Sequence, residues 1–293
     1  MTTSTHRHSV SRLVLATALA VTGAGLAGCA VEEAPTGPET SAAAPVAAAP
    51  VAPDQVTATP LAVAPVAATR PRPLAGTTIV VDPGHNGGNA AHPRALNRKV
   101  YAGNGIWKPC NTTGTRTVRG YPEHAQVWDV ATRLAAVLRA QGARVVLTRA
   151  SDRGFGPCID QRAAIGNRAR ATLVVSIHDD GNVSRRARGF HVIHSTRMVG
   201  GTVAQQRSAR LAVAVRDAFQ RGTGMPRSTY LGRGTALTPR TDIGGLNLSR
   251  VPAIMVEAGN MRHPTDAALL GTPAFRQREA VALATGIRRY LGR

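Results

Sequence analysis

The chain has 293 residues, of which 43% are hydrophobic, only 3% aromatic and 18% charged. Basic residues outnumber acidic ones 36 to 16, for a net charge of +20, and Lys99 and Lys108 are the only lysines. This balance excludes an acidic disordered chain and a many-span membrane protein, and it predicts attraction to a polyanion: nucleic acid, anionic lipid or an anionic wall polymer.

His6, Arg7, His8 and Arg12 open the chain without an acidic residue, and an apolar run of 16 residues follows, Leu13 to Gly28. That length is short for a bilayer span and suits the core of a signal peptide. The run ends Leu26-Ala27-Gly28-Cys29, which resembles the lipobox of bacterial lipoproteins. The resemblance implies a signal peptide over 1–28, cleavage before Cys29 and lipidation of Cys29. A diacylglyceryl group with an added acyl chain buries enough methylenes for a stable membrane anchor. An ordinary cleaved signal peptide with a secreted product is the other reading. Both export the protein, the first to the outer face of the cytoplasmic membrane in the cell envelope, and both argue against nucleic acid as a partner. Loss of Arg7 and Arg12 leaves a charge of +18, 34 basic residues against 16 acidic.

With Cys29 assigned to lipid, Cys110 and Cys158 remain, an even pair in an oxidising compartment. A disulfide between them would close a loop of about 48 residues and contribute roughly 4 kcal/mol on the chain-entropy model; two free thiols are the alternative, and the absence of a Cys-x-x-Cys pair weighs against zinc. Residues 29–75 are mostly Ala and Pro without an aromatic side chain. Such a stretch buries too little surface to offset its ordering entropy and is expected to be a disordered, semi-extended spacer.

Residues 76–293 form the remaining domain. Thr77 to Val81 is a β-branched run that stops at Asp82-Pro83-Gly84, a strand followed by a turn. Asn86 to Gly120 is rich in Gly, Asn and Thr and is expected to be a long surface loop. Pro122 to Ala140 carries Val127, Val130, Leu134, Val137 and Leu138 at helical spacing. Strands are expected at 144–148, 173–177, 190–194 and 252–256, and helices at 158–170, 203–221 and 273–290, the last with Thr272 as N-cap and Pro273 in its first turn. Strands alternating with helices predict a single α/β domain: a three-layer sandwich with a mostly parallel or mixed twisted sheet and helices on both faces. Chemistry in such folds gathers at the carboxyl ends of strands.

Four segments coincide there. The first strand ends Asp82-Pro83-Gly84-His85, the strand at 173–177 delivers Ser176-Ile177-His178, the strand at 252–256 delivers Val256-Glu257-Ala258-Gly259, and the first long helix opens Tyr121-Pro122-Glu123-His124. Taken singly each residue is ordinary: a turn histidine, a carboxylate favoured by the helix dipole, a structural glutamate, a histidine at a strand end. Together, two histidines and a carboxylate at one sheet edge supply three ligands to zinc and leave its fourth position for water, as catalytic sites require. A remaining carboxylate can then serve as base.

Ile79-Val80-Val81-Asp82-Pro83-Gly84-His85, Glu123, Ser176-Ile177-His178 and Val256-Glu257-Ala258-Gly259-Asn260 carry a resemblance to the zinc-dependent N-acetylmuramoyl-L-alanine amidases. It spans nearly all of 76–293 and is nearest to the compact mycobacterial-type members. The resemblance implies one Zn2+ per chain on His85, Glu123 and His178, with Glu257 as the catalytic glutamate. It implies hydrolysis of the amide between N-acetylmuramic acid and the L-alanine of the stem peptide, with peptidoglycan or muropeptides as substrate. Two segments depart from the family pattern: Asp179-Asp180-Gly181-Asn182 after the second histidine, and Ala258-Gly259-Asn260-Met261 after Glu257.

Another zinc-dependent wall hydrolase, a peptidase or deacetylase, is the rival within the same architecture, and a catalytically inactive lipid-anchored wall-binding protein is the rival outside it. His124 is a group behind the ligands or a competing ligand. His191 and His194, three apart on a strand, face opposite ways, and His92 and His263 belong to loops or the surface. Trp128 is expected in the core, and Trp107 in the long loop can stack on sugar or cover the cleft. No wall-binding domain or repeat is visible, so the arginine surplus either solvates helix faces or draws the domain to anionic wall polymers. A monomer is the default.

Overall fold

The computed structural model describes residues 72–293; the signal peptide at 1–28, Cys29 and nearly all of the spacer at 29–75 lie outside them. Six strands form one sheet in the order β4-β1-β5-β8-β6-β7. They are β1 (Thr78–Pro83), β4 (Arg144–Leu147), β5 (Leu173–Asp180), β6 (His191–Ser195), β7 (Leu237–Arg240) and β8 (Ala253–Asn260). The four strands from β4 to β8 run parallel, β6 is antiparallel to β8, and β7 is parallel to β6. The expected mixed sheet is therefore present, and β7 is the strand that periodicity did not reveal: its four residues include a proline and a single buried position.

Helices α2 (Glu123–Ala140) and α4 (Gly201–Thr223) pack on the sheet and against α7 (Pro273–Tyr290) around one large core. The pattern follows from spacing. Val127, Val130, Leu134 and Leu138 recur every three or four residues of α2 and are fully buried against Ile79, Val81, Val175 and Ile177. Each such side chain contributes roughly 1.5–3 kcal/mol on burial. Thr272 caps α7, its hydroxyl accepting from the Phe275 N–H, with Pro273 in the first turn. On the opposite face Leu246 of α5 (Gly244–Asn247) packs with Ile193 and Ala253, and α3 (Ile159–Arg168) lies beside α5. A short α6 (Pro264–Leu270) follows β8. Helices thus cover both faces, as the α/β reading expected.

The segment from Asn86 to Gly120 departs from the loop reading. It contains α1 (Pro93–Asn97) and a hairpin of β2 (Lys99–Tyr101) and β3 (Trp107–Pro109). Leu96, Val100 and Cys110 are buried there, but they stand too far apart to make a period. A disulfide joins Cys110 to Cys158, fixing the end of the hairpin to the start of α3. Lys108 pairs with Asp242 at 3.1 Å, and the Asn104 amide donates to the Arg197 and Thr241 carbonyls. Trp107, 62% exposed, rests against Tyr101. Trp128 is half-buried rather than central, with the Arg149 guanidinium 4.8 Å above its ring. Among the described residues no helix is long and apolar enough to cross a membrane.

One of the buried acids lies between two core helices. Glu279 on α7 is fully buried, and the Gln126 amide donates to its carboxyl at 3.0 Å. Burial, only partly offset by Gln126 and Arg276, raises its pKa to about 8 from an ordinary 4.5. The folded chain therefore holds a proton that the unfolded chain releases near 4.5, so the stability this group supplies is complete in acid and falls as pH rises through about 8. Glu279→Gln is expected to raise the melting temperature at pH 9 and to leave it nearly unchanged at pH 5. A variant that melts with the parent at both pH values would show that the carboxyl ionises freely.

Candidate metal and catalytic site

The last ladder bond of β1 runs from the Gly84 N–H to the Ile177 carbonyl at 3.0 Å. The chain then turns sharply, and His85 takes φ 57°. A non-glycine residue in this left-handed region costs about 1 kcal/mol and persists only where its surroundings hold it. Gly84 is needed for space, since a Cβ there would lie 2.3 Å from the His178 ring. Gly114, at φ +77°, likewise leaves room where a Cβ would meet the Glu123 carboxylate and the His85 ring.

Three elements bring their ligand atoms to one point. His85 Nε2 and His178 Nδ1 each lie 3.0 Å from Glu123 Oε1, and the rings meet edge to face at 4.8 Å. Glu123 starts α2 and is 2% exposed. Its two oxygens accept the Thr115 N–H at 2.8 Å and the Asp179 N–H at 3.1 Å. His85 Nδ1 donates to the Thr112 carbonyl at 3.1 Å. In the neutral ring that bond leaves the Nε2 lone pair facing the carboxylate oxygen. Two acceptors at 3.0 Å repel unless a proton or a cation lies between them, and ligand atoms of His85, Glu123 and His178 all fall within 4.8 Å of one another. Two imidazoles and one carboxylate fit a single divalent metal of the zinc type.

The charges follow the same logic. Burial opposes ionisation of Glu123, but the two histidines outweigh it and hold the carboxyl far below its usual range. Burial likewise disfavours charge on His85, and Glu123 overrides it, raising the imidazole above 6.5.

Glu257 occupies the register position beside His178 on β8, with His191 opposite it on β6. Its Oε2 is buried without a hydrogen-bond partner. Burial first, then the charges of Asp180 and Glu123, push its carboxyl well above 4.5. A cavity of about 200 Å³ opens beside His85 and His178, walled by Lys108 of the hairpin, Ile159 of α3 and Leu246 of α5.

The structure thus brings together His85, Glu123 and His178, and sets Glu257 next to them. His124 is outside the group, its Nδ1 bound to Asp152 at 2.8 Å. His191 is buried and donates to Asp180 at 2.8 Å, while His194 points elsewhere and is partly exposed. Sequence reasoning missed several supporting side chains. Tyr230 donates to Asp180 at 2.6 Å, and Thr238 bonds His191 at 3.0 Å. Tyr230 stands in a stretch without periodicity, and only its aromatic hydroxyl could have marked it. Arg149 and Arg162 were hidden among 36 basic residues.

Two imidazoles from strand ends and a carboxylate from the start of α2 meet at one point, with an unpartnered carboxyl in the adjoining register position, on a fold of the α/β class. Residues 79–289 match the N-acetylmuramoyl-L-alanine amidase family, and the chain belongs to it, as an enzyme that splits the amide between N-acetylmuramic acid and L-alanine in peptidoglycan. It is 41% identical over 221 residues to an N-acetylmuramoyl-L-alanine amidase of Mycobacterium tuberculosis, covering 75% of this chain and 89% of that one. The amidase Ami1 of Mycobacterium smegmatis superposes with a TM-score of 0.70 at 43% identity, covering 75% of this chain and 98% of the other. Ami1 of Mycobacterium abscessus gives the same TM-score at 40% identity, over 74% and 100%.

Proposed function

We propose that amide hydrolysis by this chain runs on one Zn2+ held by His85, Glu123 and His178, with Glu257 as general base. The observation that supports it is the convergence of ligand atoms on a point where acceptors face each other at 3.0 Å. Zinc in that position supplies a Lewis acid that acidifies a water and polarises the scissile carbonyl. Glu123 supplies the negative ligand, oriented by the Thr115 and Asp179 N–H groups, and the Thr112 carbonyl keeps the His85 lone pair on Nε2. The Glu257 carboxylate, its Oε2 free of partners, takes a proton from the attacking water and delivers it to the departing L-alanine nitrogen. Its burial, beside the charges of Asp180 and Glu123, favours that proton uptake.

Upstream of the catalytic domain at 76–293, the reading assigns 1–28 to a signal peptide, Cys29 to a lipid anchor and 29–75 to a spacer that lets the domain reach the wall. The arginine surplus has a matching surface. Arg119, Arg185 and Arg262 line a groove of about 880 Å³ with Thr117 and Tyr121, just before the start of α2. Such a groove attracts anionic wall polymers through charge.

Three outcomes are expected. Glu257→Gln lowers turnover on a muramyl-peptide by about two to four orders of magnitude while zinc remains bound, and the parent, but not the variant, releases a stem peptide with a free L-alanine amino group by mass spectrometry. Cleavage elsewhere in the peptide would move the protein to the peptidases, and a near-parental rate in the variant would remove Glu257 from its role. Adsorption to purified wall weakens steeply with added salt, and the slope flattens when Arg119, Arg185 and Arg262 become Gln; salt-independent adsorption refutes the charge reading. Cys29→Ala moves the protein from the membrane fraction to the medium, and an unchanged distribution would dismiss the anchor.

A further inference from the structure

Beyond Gly84 the turn that carries His85 has left the sheet, and its carbonyls have no strand to accept from. Two buried guanidiniums take them instead. Arg162, 5% exposed on α3, donates to the Pro83 carbonyl at 2.6 Å and to the His85 carbonyl at 2.5 Å. Arg149, 4% exposed just past β4, donates to the Pro83 carbonyl at 3.0 Å and to the Gly84 carbonyl at 3.3 Å. Three consecutive carbonyls are thus gripped by two forks from different elements.

Burying two guanidiniums is costly unless each is paired and its donors are used. Arg162 pairs with Asp82 at 2.7 Å and Arg149 with Asp152 at 2.8 Å. Asp82, the residue that opens the turn, is held at about 2: burial would raise it, but Arg162, Thr148 and Ser176 prevail. The remaining donors of Arg149 go to the carbonyls of Ser151 and His124 and to the Asn86 side-chain oxygen, and those of Arg162 to Pro157. Among the described residues the two forks converge on the Pro83 carbonyl, from which Arg149 reaches on to Gly84 and Arg162 to His85. A planar fork with donors at fixed angles sets a peptide plane in a way that a lysine ammonium does not.

His85 needs such a grip. Its left-handed φ of 57° is what turns Nε2 toward Glu123 instead of along the strand direction. The Thr112 carbonyl fixes the ring, and the two arginines fix the backbone beneath it. The disulfide ties both supports together, since Thr112 lies two residues after Cys110 and Arg162 four after Cys158.

We propose that Arg149 and Arg162 are positioning residues of the metal site, which hold the Pro83–His85 turn in its strained form before metal arrives and thereby set the affinity for zinc. The inference rests on His85 being a zinc ligand, as assigned under Proposed function.

The test uses the full chain as Arg149→Lys and Arg162→Lys, with Arg276→Lys as comparison. Arg276 is a largely buried guanidinium bound to Asp129 and to the Leu270 carbonyl, away from the turn. Zinc affinity is measured by competition with a chromogenic chelator, and the melting temperature is measured without metal. The expected result is zinc binding at least about tenfold weaker in Arg149→Lys and Arg162→Lys, and parental zinc binding in Arg276→Lys even where its melting temperature drops. Parental affinity in both turn variants overturns the clamp. A parent that binds no zinc overturns the functional reading itself. Should either turn variant fail to fold, amide exchange in the zinc-free parent decides: protection over His85 to Gly87, beyond the ladder bond of Gly84, that is already present without metal supports the clamp, and protection that appears only on adding zinc overturns it.

Discussion

A carboxylate taken out of water must be surrounded by groups that want its charge, and Glu123 imposes that requirement on the whole carboxyl edge of the sheet. It is 2% exposed, yet it faces an imidazole nitrogen on either side and two backbone N–H groups. Those partners come from the turn after β1, the end of β5 and the loop that precedes α2. None can shift by a residue without leaving the charge unmet. The parallel register of β1, β5 and β8 satisfies the demand, because it brings the three strand ends to one level with Glu257 beside His178.

The parts legible in the sequence were those written in a repeating code. The apolar stripe of α2, the cap and proline of α7 and the β-branched runs of β1 and β5 each declare themselves within a few residues, and they suffice to predict the α/β layers. The candidate site was legible for a different reason: Asp-Pro-Gly-His, a histidine after Ile177 and a glutamate after Val256 all fall where strands end. What stayed hidden depends on contacts between distant segments. The hairpin of β2 and β3 is held by a disulfide and by Lys108, Asn104 and Asp242, none of which leaves a periodic trace. β5 and β8 run three and four residues past their expected ends, because pairing with each other carries them through His178 and Glu257. Trp128 was expected in the core from its place on the helix, whereas its half-buried ring also serves as a platform for a cation.

The second face of the sheet is less thickly covered than the first. Three long helices pack on one side, while the other has α3, the four-residue α5 and the hairpin. Its cavity reaches His85 and His178, so the candidate site stands between a dense core and an open flank. Rigidity comes to them from one direction and access from the other. The disulfide sits on the open flank, where a chain with little apolar packing gains most from a covalent tie.

Trp128 gives the molecule a readout of its own. Of the two indoles in the chain, Trp107 stands in solvent on the hairpin, and Trp128 lies under the guanidinium that grips the turn of His85. A cation 4.8 Å from the ring perturbs its excited state, so the emission of this one side chain follows whether Arg149 is in place. The protein carries a native optical reporter at the foundation of its reactive edge, with a second, solvent-facing fluorophore as internal standard.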